Sequence, residues 1–509
     1  MRTIILSLIF ISLTLQSWAF SATEVQQVYE RLIAAIGDQS RAFPEPQIQA
    51  EPGSVLSYHR IKSVIYIDQL ALDICSEFGD KKDDALAFLL AHELTHFYQE
   101  HRWETAGFGS RFVVKKDIYN RYELDEKEAD LFGAFTTHLA DFQSIEIIPK
   151  LFDKVYERYQ LANKLEDYPS LAERKSVARE VCQKTKELIL IFESANYFHA
   201  VGEHLAAASM YEYLLSFVRY KELYNNIGVS LVAAAAQMMS PANLRFRYPL
   251  ELDWDIPLRD GKAADPKVLL QKGIGYLSKA TQLDRTHYRA FLNLSAAYTF
   301  SDQSEAAQKM LIQLQSLSLT NYQQTQVQLI QAIILAKKGA TARAQSVLAS
   351  IGNQKTNPAL QQIAIHNLAV LKKESIAPRK RSAFYSNDEQ IDGLDLMYQN
   401  ELDFQDITLQ HPFHQAAELI QIHPNAQSDL VHFVTNDKTI ALLFTNRKLS
   451  KTKANVGVGS TLSTIQQQYQ NGKILAHSRG SYLLFPQQKL FFDLDASERV
   501  RAWGIYEVY

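Results

Sequence analysis

Two histidines four residues apart, with a glutamate directly after the first, stand in the stretch AFLLAHELTHFYQEH at residues 87–101. Residues i and i+4 share one face of a helix, so His92 and His96 can bind the same metal ion. Glu93 lies on the neighbouring edge of that face and can take a proton from a water molecule there. The spacing predicts a helix over about residues 83–101 that carries a zinc site, with Glu93 as general base. The alternative is a helix that carries histidines without a metal.

A zinc hydrolase needs a third protein ligand, and a second helix could supply it. The stretch NRYELDEKEADLFGAF, residues 120–135, has Glu126 and Asp130 four apart on one helical face. We predict Glu126 as the third ligand and Asp130 as the carboxylate that orients a histidine from behind. Glu123 and Glu128 are competitors, but Glu128 lies about 200° around the helix from Glu126. A solvated acidic face is the alternative interpretation.

Length, charge and the first residues restrict the class of protein. With 509 residues, 47% hydrophobic, the chain should form two to four globular domains. A net charge of −3 gives no basic excess for neutralising phosphates, so nucleic acid is not expected as a partner. Residues 1–19 have the pattern of a secretory signal peptide: Arg2, an apolar run, then Ser17-Trp18-Ala19. We therefore expect an exported, periplasmic protein, with secretion as the alternative.

The two cysteines can be interpreted in two ways in an exported protein. Cys75 and Cys182 form an even pair in a compartment that permits disulfides. A bridge would close a loop of roughly 100 residues and stabilise the fold by about 4 to 5 kcal/mol. The alternative is two buried free thiols. The sequence leaves both open.

The fold class that the sequence predicts is mainly α. We expect a helical zinc metallopeptidase domain with one short strand, SVIYID, over residues 20–190, and an α-helical repeat array over residues 191–375. Residues 376–393 are polar and helix-breaking, which is typical of a linker. Residues 394–509 should form a small C-terminal α+β domain. Its expected parts are two strands around Asn436-Asp437, a helix capped by Ser460, and two or three further strands.

The repeat array is predicted from a set of small and large residues that recurs along the chain. Each set has four positions, and its copies in chain order are Ala195, Phe198, Ala207, Tyr211; Gly228, Leu231 for the first two positions; Ser295, Tyr298, Ala307, Leu311; Ala332, Leu335, Ala344, Leu348. A period near 34 with this pattern resembles degenerate tetratricopeptide repeats, interrupted after residue 239. An irregular helical solenoid or bundle is the alternative. Either would offer an extended surface for a protein partner.

Four segments in order resemble the gluzincin zinc metallopeptidase family of the CAAX prenyl protease, HtpX and BepA (Ste24-like peptidases). They are SVIYID, LAFLLAHELTH, EKEADLFGA and DYPSLAERKSVAREV, within about residues 60–180. The resemblance implies His92, His96 and Glu126 as zinc ligands, Glu93 as general base and Asp130 behind the ligands. It also implies that SVIYID is an edge strand against which an extended substrate pairs.

Two features depart from the family pattern: SYHRIK stands where the family has a Gly-rich approach to the edge strand, and the residue before the proline differs. The family has His-Pro followed by a downstream arginine, and this chain has Tyr168 and Pro169 with Arg174 after them. A tyrosine hydroxyl can donate to an oxyanion, so Tyr168 remains a candidate catalytic residue.

Two functions from different classes follow from these patterns. The first is an exported zinc endopeptidase that hydrolyses misfolded or specific envelope proteins, with repeats that recruit protein partners, outer-membrane-associated proteins among them. The second is a repeat-based binding scaffold or chaperone-like assembly factor with a latent metal site.

Overall fold

The computed structural model of the chain describes most of the two helical regions and much of the C-terminal sheet. The described residues are 20–36, 42–49, 55–98, 106–108, 116–161, 171–215, 217–239, 246–247, 265–353, 358–373, 407–410, 419–424, 430–434, 440–446, 448, 451–477 and 480–506. The signal-peptide prediction, Tyr168, Pro169 and the linker prediction lie outside them. The fold is mainly α, as the sequence predicts. No helix in the described ranges combines the length and the apolar character needed to cross a bilayer.

The chain divides into two compact units, and the first ends at Ile189 while the second begins at Leu190. This boundary lies inside one long helix, Leu171–Val201. Among its described residues, the first unit contains a four-stranded sheet and five complete helices besides the start of that long helix. The helices are α1 Ala22–Ile36, α2 Gln69–Ser76, α3 Lys82–Tyr98, α4 Lys116–Leu139, α5 Ile148–Tyr159 and α6 Leu171–Val201.

The predicted order of strand, helix, turn and histidine helix is present in the first unit. The Asp68 side chain accepts from the Leu70 N–H at 3.0 Å and caps α2. Gly79, with φ +58°, turns the chain before α3 because only glycine adopts this conformation without steric cost. Every residue from Ala85 to His96 is buried, so α3 is the central helix of the unit.

The prediction that SVIYID forms an edge strand is wrong. In the part of the first unit that the structure describes, the strands are β1 Glu45–Gln49, β2 Leu56–His59, β3 Val64–Asp68 and β4 Ala106–Phe108, in the order β1-β3-β2-β4. SVIYID forms β3, which pairs in parallel with β1 and antiparallel with β2. Four of its five residues are buried, because this apolar run packs on both of its faces. The edges of the sheet are β1 and β4.

The second unit begins with successive helices that pack against their neighbours in the chain. After the end of α6 they are α7 His204–Leu215, α8 Lys221–Met238, α9 Pro266–Leu283, α10 Tyr288–Phe300, α11 Ser304–Gln315, α12 Asn321–Lys337, α13 Thr341–Gly352 and α14 Pro358–Lys372. Small residues lie where two helices approach closely. A Cβ added to Gly228 would come within 2.9 Å of the Gly273 carbonyl oxygen, and Ser295 Oγ donates to the Ala307 carbonyl at 3.1 Å. The recurring small positions therefore serve helix packing.

The described residues of the C-terminal region form an antiparallel eight-stranded sheet with one short helix. Its strands are β5 Ile407–Gln410, β6 Leu419–Pro424, β7 Leu430–Val434, β8 Ile440–Thr445, β9 Lys473–His477, β10 Gly480–Phe485, β11 Leu490–Asp495 and β12 Val500–Tyr506, in the order β5-β6-β7-β8-β12-β11-β10-β9. β7 and β8 are the strands predicted around Asn436-Asp437, whereas β5, β6 and β9 were not predicted. Trp503, fully buried, lies in the core beneath the helix.

The predicted cap of the short helix is off by one residue. The helix, α15, runs over Leu462–Gln468 and its N-cap is Thr461, whose hydroxyl accepts from the Thr464 N–H. Ser460 lies one position earlier, and its Oγ accepts from the Gly457 N–H instead. Both hydroxyl residues can cap a helix, so their types alone did not decide the position.

Of the two alternatives for the cysteines, the structure has free thiols. Cys75 on α2 and Cys182 on α6 are both buried and unbridged. Burial raises the pKa of the Cys182 thiol to about 11, so the reactive thiolate is disfavoured.

Candidate metal centre

Helix α3 brings the two histidines to a common point. His92 and His96 are each 1% exposed, and their Nε2 atoms lie 3.1 Å apart. Their rings meet edge to face with centroids 4.8 Å apart, as expected for side chains one helical turn apart. The two imidazoles therefore present their Nε2 atoms to the same small volume inside the protein.

Helix α4 adds a carboxylate at that point. Glu126 Oε2 lies 3.5 Å from His92 Nε2, and Glu126 Oε1 lies 3.3 Å from His96 Nε2. One ligand atom from each of the three side chains falls within 4.8 Å of the others. Glu128, one of the two glutamates that compete with Glu126 as third ligand, is exposed on the other side of α4. Of these two glutamates, the structure brings Glu126 to the histidines.

Asp130 supports this group from behind. It is fully buried, and its Oδ1 lies 2.9 Å from His92 Nδ1. A carboxylate accepts from Nδ1–H, so the lone pair of His92 Nε2 points towards Glu126 and is available to a metal. Arg174 Nη2, from α6, donates to Asp130 Oδ1 at 3.0 Å and lies 2.9 Å from Asp130 Oδ2 in an ion pair, and the guanidinium lies over the Phe152 ring. These contacts fix the Asp130 carboxyl group in place behind His92.

A glycine allows α4 to approach α3 at this level. A Cβ added to Gly133 would lie 3.0 Å from the His92 backbone nitrogen and 3.2 Å from both the Ala91 carbonyl carbon and the His92 Cα. Those atoms are backbone and cannot move aside independently of α3. Gly133 is one turn beyond Asp130 and two beyond Glu126, so it sets the helix spacing that their side chains bridge.

The carboxyl group of Glu93 is held by the sheet. The Tyr58 backbone N–H, on β2, donates to Glu93 Oε2 at 2.7 Å, and Glu93 is 0% exposed. Burial raises the pKa of Glu93, and the charges of His92 and His96 oppose that rise. A carboxyl group with a raised pKa accepts a proton more readily than an ordinary glutamate, as a general base requires.

The electrostatics of the centre favour a bound cation. Burial alone would lower the pKa of His92, but its hydrogen bonds with Asp130 and Glu126 raise that pKa to about 10. Burial would raise the pKa of Glu126, yet the neighbouring His92 and His96 side chains hold that pKa well below its usual range. The carboxylates therefore stabilise positive charge at the Nε2 atoms, whether a proton or a metal ion carries it.

The donor set fits zinc. Two imidazole nitrogens and one carboxylate oxygen are the three-ligand set of many catalytic zinc sites. Glu126 Oε1 is buried and makes no hydrogen bond, although it lies near His96 Nε2. A buried carboxylate oxygen in that condition needs a partner, and a metal ion between the three side chains would supply one.

Two contacts at the centre were not predicted from the sequence. The role of Arg174 follows from its bonds to Asp130, and its only sequence signal was its place in the segment after Pro169. The Tyr58 N–H is a backbone group, so its residue type gives no signal at all. Tyr168, a predicted catalytic residue, lies outside the described residues.

The comparisons with known proteins return no match for this chain, either among family models or among curated proteins.

Proposed function

We propose that the chain is an exported zinc-dependent endopeptidase of the periplasm that hydrolyses peptide bonds of misfolded or specific envelope proteins. The observation that supports this most is the convergence of His92, His96 and Glu126 inside the protein, beside a buried Glu93. In this proposal the helical array recruits protein partners, and residues 1–19 direct export.

The residues of the centre have distinct tasks in this proposal. His92, His96 and Glu126 hold zinc, which when bound polarises a carbonyl group and lowers the pKa of water. Glu93 accepts the proton of the attacking water and passes it to the departing amine. The Tyr58 N–H fixes the carboxyl group that carries this proton, and Asp130 keeps His92 in the tautomer that binds metal.

Substrate pairing has to use a different strand from SVIYID, since both sides of β3 are occupied. β4, Ala106–Phe108, is a sheet edge and pairs with β2, the strand that holds Glu93. We propose the β4 edge as the place where an extended substrate adds to the sheet.

The test is cleavage of an unfolded protein, reduced casein, by the purified mature chain and by Glu93→Gln. We expect cleavage by the wild type that a zinc chelator stops and that falls by at least about a hundredfold in Glu93→Gln, because general-base catalysis contributes about 10²–10⁴-fold. Glu128→Gln, an exposed change on the same helix as Glu126, is the matched control and should cleave normally. Equal cleavage by the wild type and Glu93→Gln would contradict the proposal.

A second function is favoured by the burial of the centre. His92, Glu93, His96 and Glu126 are all at most 7% exposed, which also suits a latent metal site in a binding scaffold. A chain that binds zinc and folds normally, yet cleaves no unfolded protein, would support the scaffold.

A further inference from the structure

The segment between α8 and α9 meets a helix at the far end of the array. The structure describes two of its residues, Phe246 and Arg247. The Arg247 N–H donates to Asn367 Oδ1 at 2.7 Å, and Asn367 Nδ2 donates to the Arg247 carbonyl oxygen at 2.6 Å. Asn367 is on α14, 120 residues further along the chain. The long-range contact between Asn367 and Arg247 thus uses both the backbone N–H and the backbone C=O of Arg247.

The geometry of this contact is that of strand pairing. A carboxamide side chain carries the same donor and acceptor as a peptide group. A residue in an extended chain directs its N–H and C=O to the same side, where a neighbouring strand bonds to both. Asn367 therefore bonds to Arg247 as an adjacent strand would. These two bonds do not use the Arg247 side chain, so they carry no requirement for arginine.

The position of Asn367 shows why it needs such a partner. Its side chain is fully buried although α14 is among the last helices of the array, and Arg247 is partly buried over it. A buried amide left without hydrogen bonds is costly, so its partner must be replaced if it leaves. Helices α8, α10, α12 and α14 each contact the next, so Asn367 belongs to a continuous layer of the array.

We propose that Asn367 is the recognition residue of a peptide-binding site on the helical array, which the chain occupies with its own backbone at Arg247. The external ligand is an extended, unfolded polypeptide segment, read through its N–H and C=O groups. It displaces the internal segment and takes over both bonds to Asn367. Unfolded polypeptide segments are then the partners that the helical array recruits in the proposed function. Their binding does not depend on the zinc centre.

The test uses the full chain with Glu93→Gln, so that no peptide is cleaved. The probe is a fluorescent peptide with the sequence of residues 243–251, NLRFRYPLE, and its binding is followed by anisotropy. Arg247→Pro removes the backbone N–H that Asn367 Oδ1 accepts from, which weakens the internal contact. We expect Arg247→Pro to bind the probe about tenfold more tightly, the effect of losing one hydrogen bond from the competitor. Arg247→Ala is the matched control. It keeps the N–H, so its gain in probe binding should be smaller than that of Arg247→Pro.

Two further measurements separate recognition by Asn367 from loosening of the segment. Asn367→Leu, added to Arg247→Pro, should abolish the gain while circular dichroism shows the helices intact. A probe with proline in place of its second arginine should bind at least about tenfold more weakly to the Arg247→Pro chain, and this comparison needs no further change in the protein.

Three outcomes would overturn the peptide site: no gain with Arg247→Pro, an equal gain with Arg247→Ala, or equal binding of the two probes. Zinc content and casein cleavage are measured separately, on the wild-type chain that retains Glu93. Absence of bound zinc and of casein cleavage would contradict the proposed endopeptidase function, but it would not contradict the peptide-binding site.

Discussion

Asp130 is the residue on which the orientation of His92 depends. We expect Asp130→Asn to weaken zinc binding by about 10–100-fold, because the neutral amide is a weaker acceptor for His92 Nδ1–H and loses its ion pair with Arg174. Competition with a chromophoric zinc chelator measures the affinity. Glu128→Gln is the control, since Glu128 is exposed on the same helix. An unchanged affinity in Asp130→Asn would show that Asp130 does not support the metal ligand.

The raised pKa of His92 gives a prediction for pH. Because that pKa is about 10, the metal-free protein holds a proton that zinc must displace at neutral pH. The apparent zinc affinity should rise about tenfold per pH unit up to about pH 10 and then level off. The same proton stabilises the metal-free fold fully below about pH 6.5, and that stabilisation is lost as the pH rises through about 10.

Calorimetry can check this proton release. Zinc titrations at pH 7.5 in buffers of different ionisation enthalpy should report about one proton released for each zinc bound. A binding enthalpy that does not depend on the buffer would contradict the raised pKa of His92.

At the scale of elements, the spacing of α3 and α4 is what assembles the centre. Gly133→Ala would place a Cβ 3.0 Å from the His92 backbone nitrogen, so the helices must separate. We expect a loss of about 1–3 kcal/mol in the free energy of unfolding, measured by urea denaturation, together with weaker zinc binding.

Gly275→Ala is the matched helical control for that change. Nothing lies within 4 Å of a Cβ at Gly275 on α9, so the change should raise the free energy of unfolding by roughly 0.5–1 kcal/mol. If both substitutions had the same effect, the close approach of α3 and α4 would not be what makes Gly133 matter.

The elements also show what the sequence could predict. Helix α3 and the pairing of β7 with β8 follow from local patterns, because periodicity and turn residues lie within a few positions of each other. β1 has the sequence EPQIQ and is mostly exposed, so no apolar alternation marks it. Its partner β3 is required to define it as a strand. The edge-strand prediction for β3 came from the family resemblance, and the sequence did not predict β1 and β2, which occupy the two sides of β3.

In the candidate metal centre, the sequence predicts which side chains come together but does not predict the contact made by a backbone group. Spacing along α3 and α4 places His92, His96, Glu126 and Asp130, because each pair lies one helical turn apart. The bond from the Tyr58 N–H to Glu93 depends on the path of β2 past α3, which only the folded chain defines.

At the scale of the whole molecule, long-range polar contacts join parts that the sequence treats separately. In the second unit, the Tyr197 hydroxyl on α6 donates to Asp493 Oδ2 on β11 at 3.0 Å, across 296 residues. Asp493 also accepts from Arg501 at 2.8 Å. The C-terminal sheet and the start of the helical array are therefore bonded within one compact unit.

Tyr197→Phe tests that connection. We expect it to lower the free energy of unfolding by about 1.5–3 kcal/mol, the usual effect of a hydrogen bond to a charged group, since the hydroxyl is buried. Urea denaturation gives the value, and Tyr322→Phe, at a side chain that is 41% exposed, is the control. Equal small effects at both positions would argue against a stabilising role for the contact.

The zinc content of the purified chain, together with X-ray absorption at the zinc edge, tests the proposed zinc site most directly. We expect one zinc per chain, bound by two imidazole nitrogens and by oxygen, and loss of that zinc in His96→Ala with the helices intact. Zinc that persists in His96→Ala, or a chain that binds none, would contradict a zinc site made by His92, His96 and Glu126.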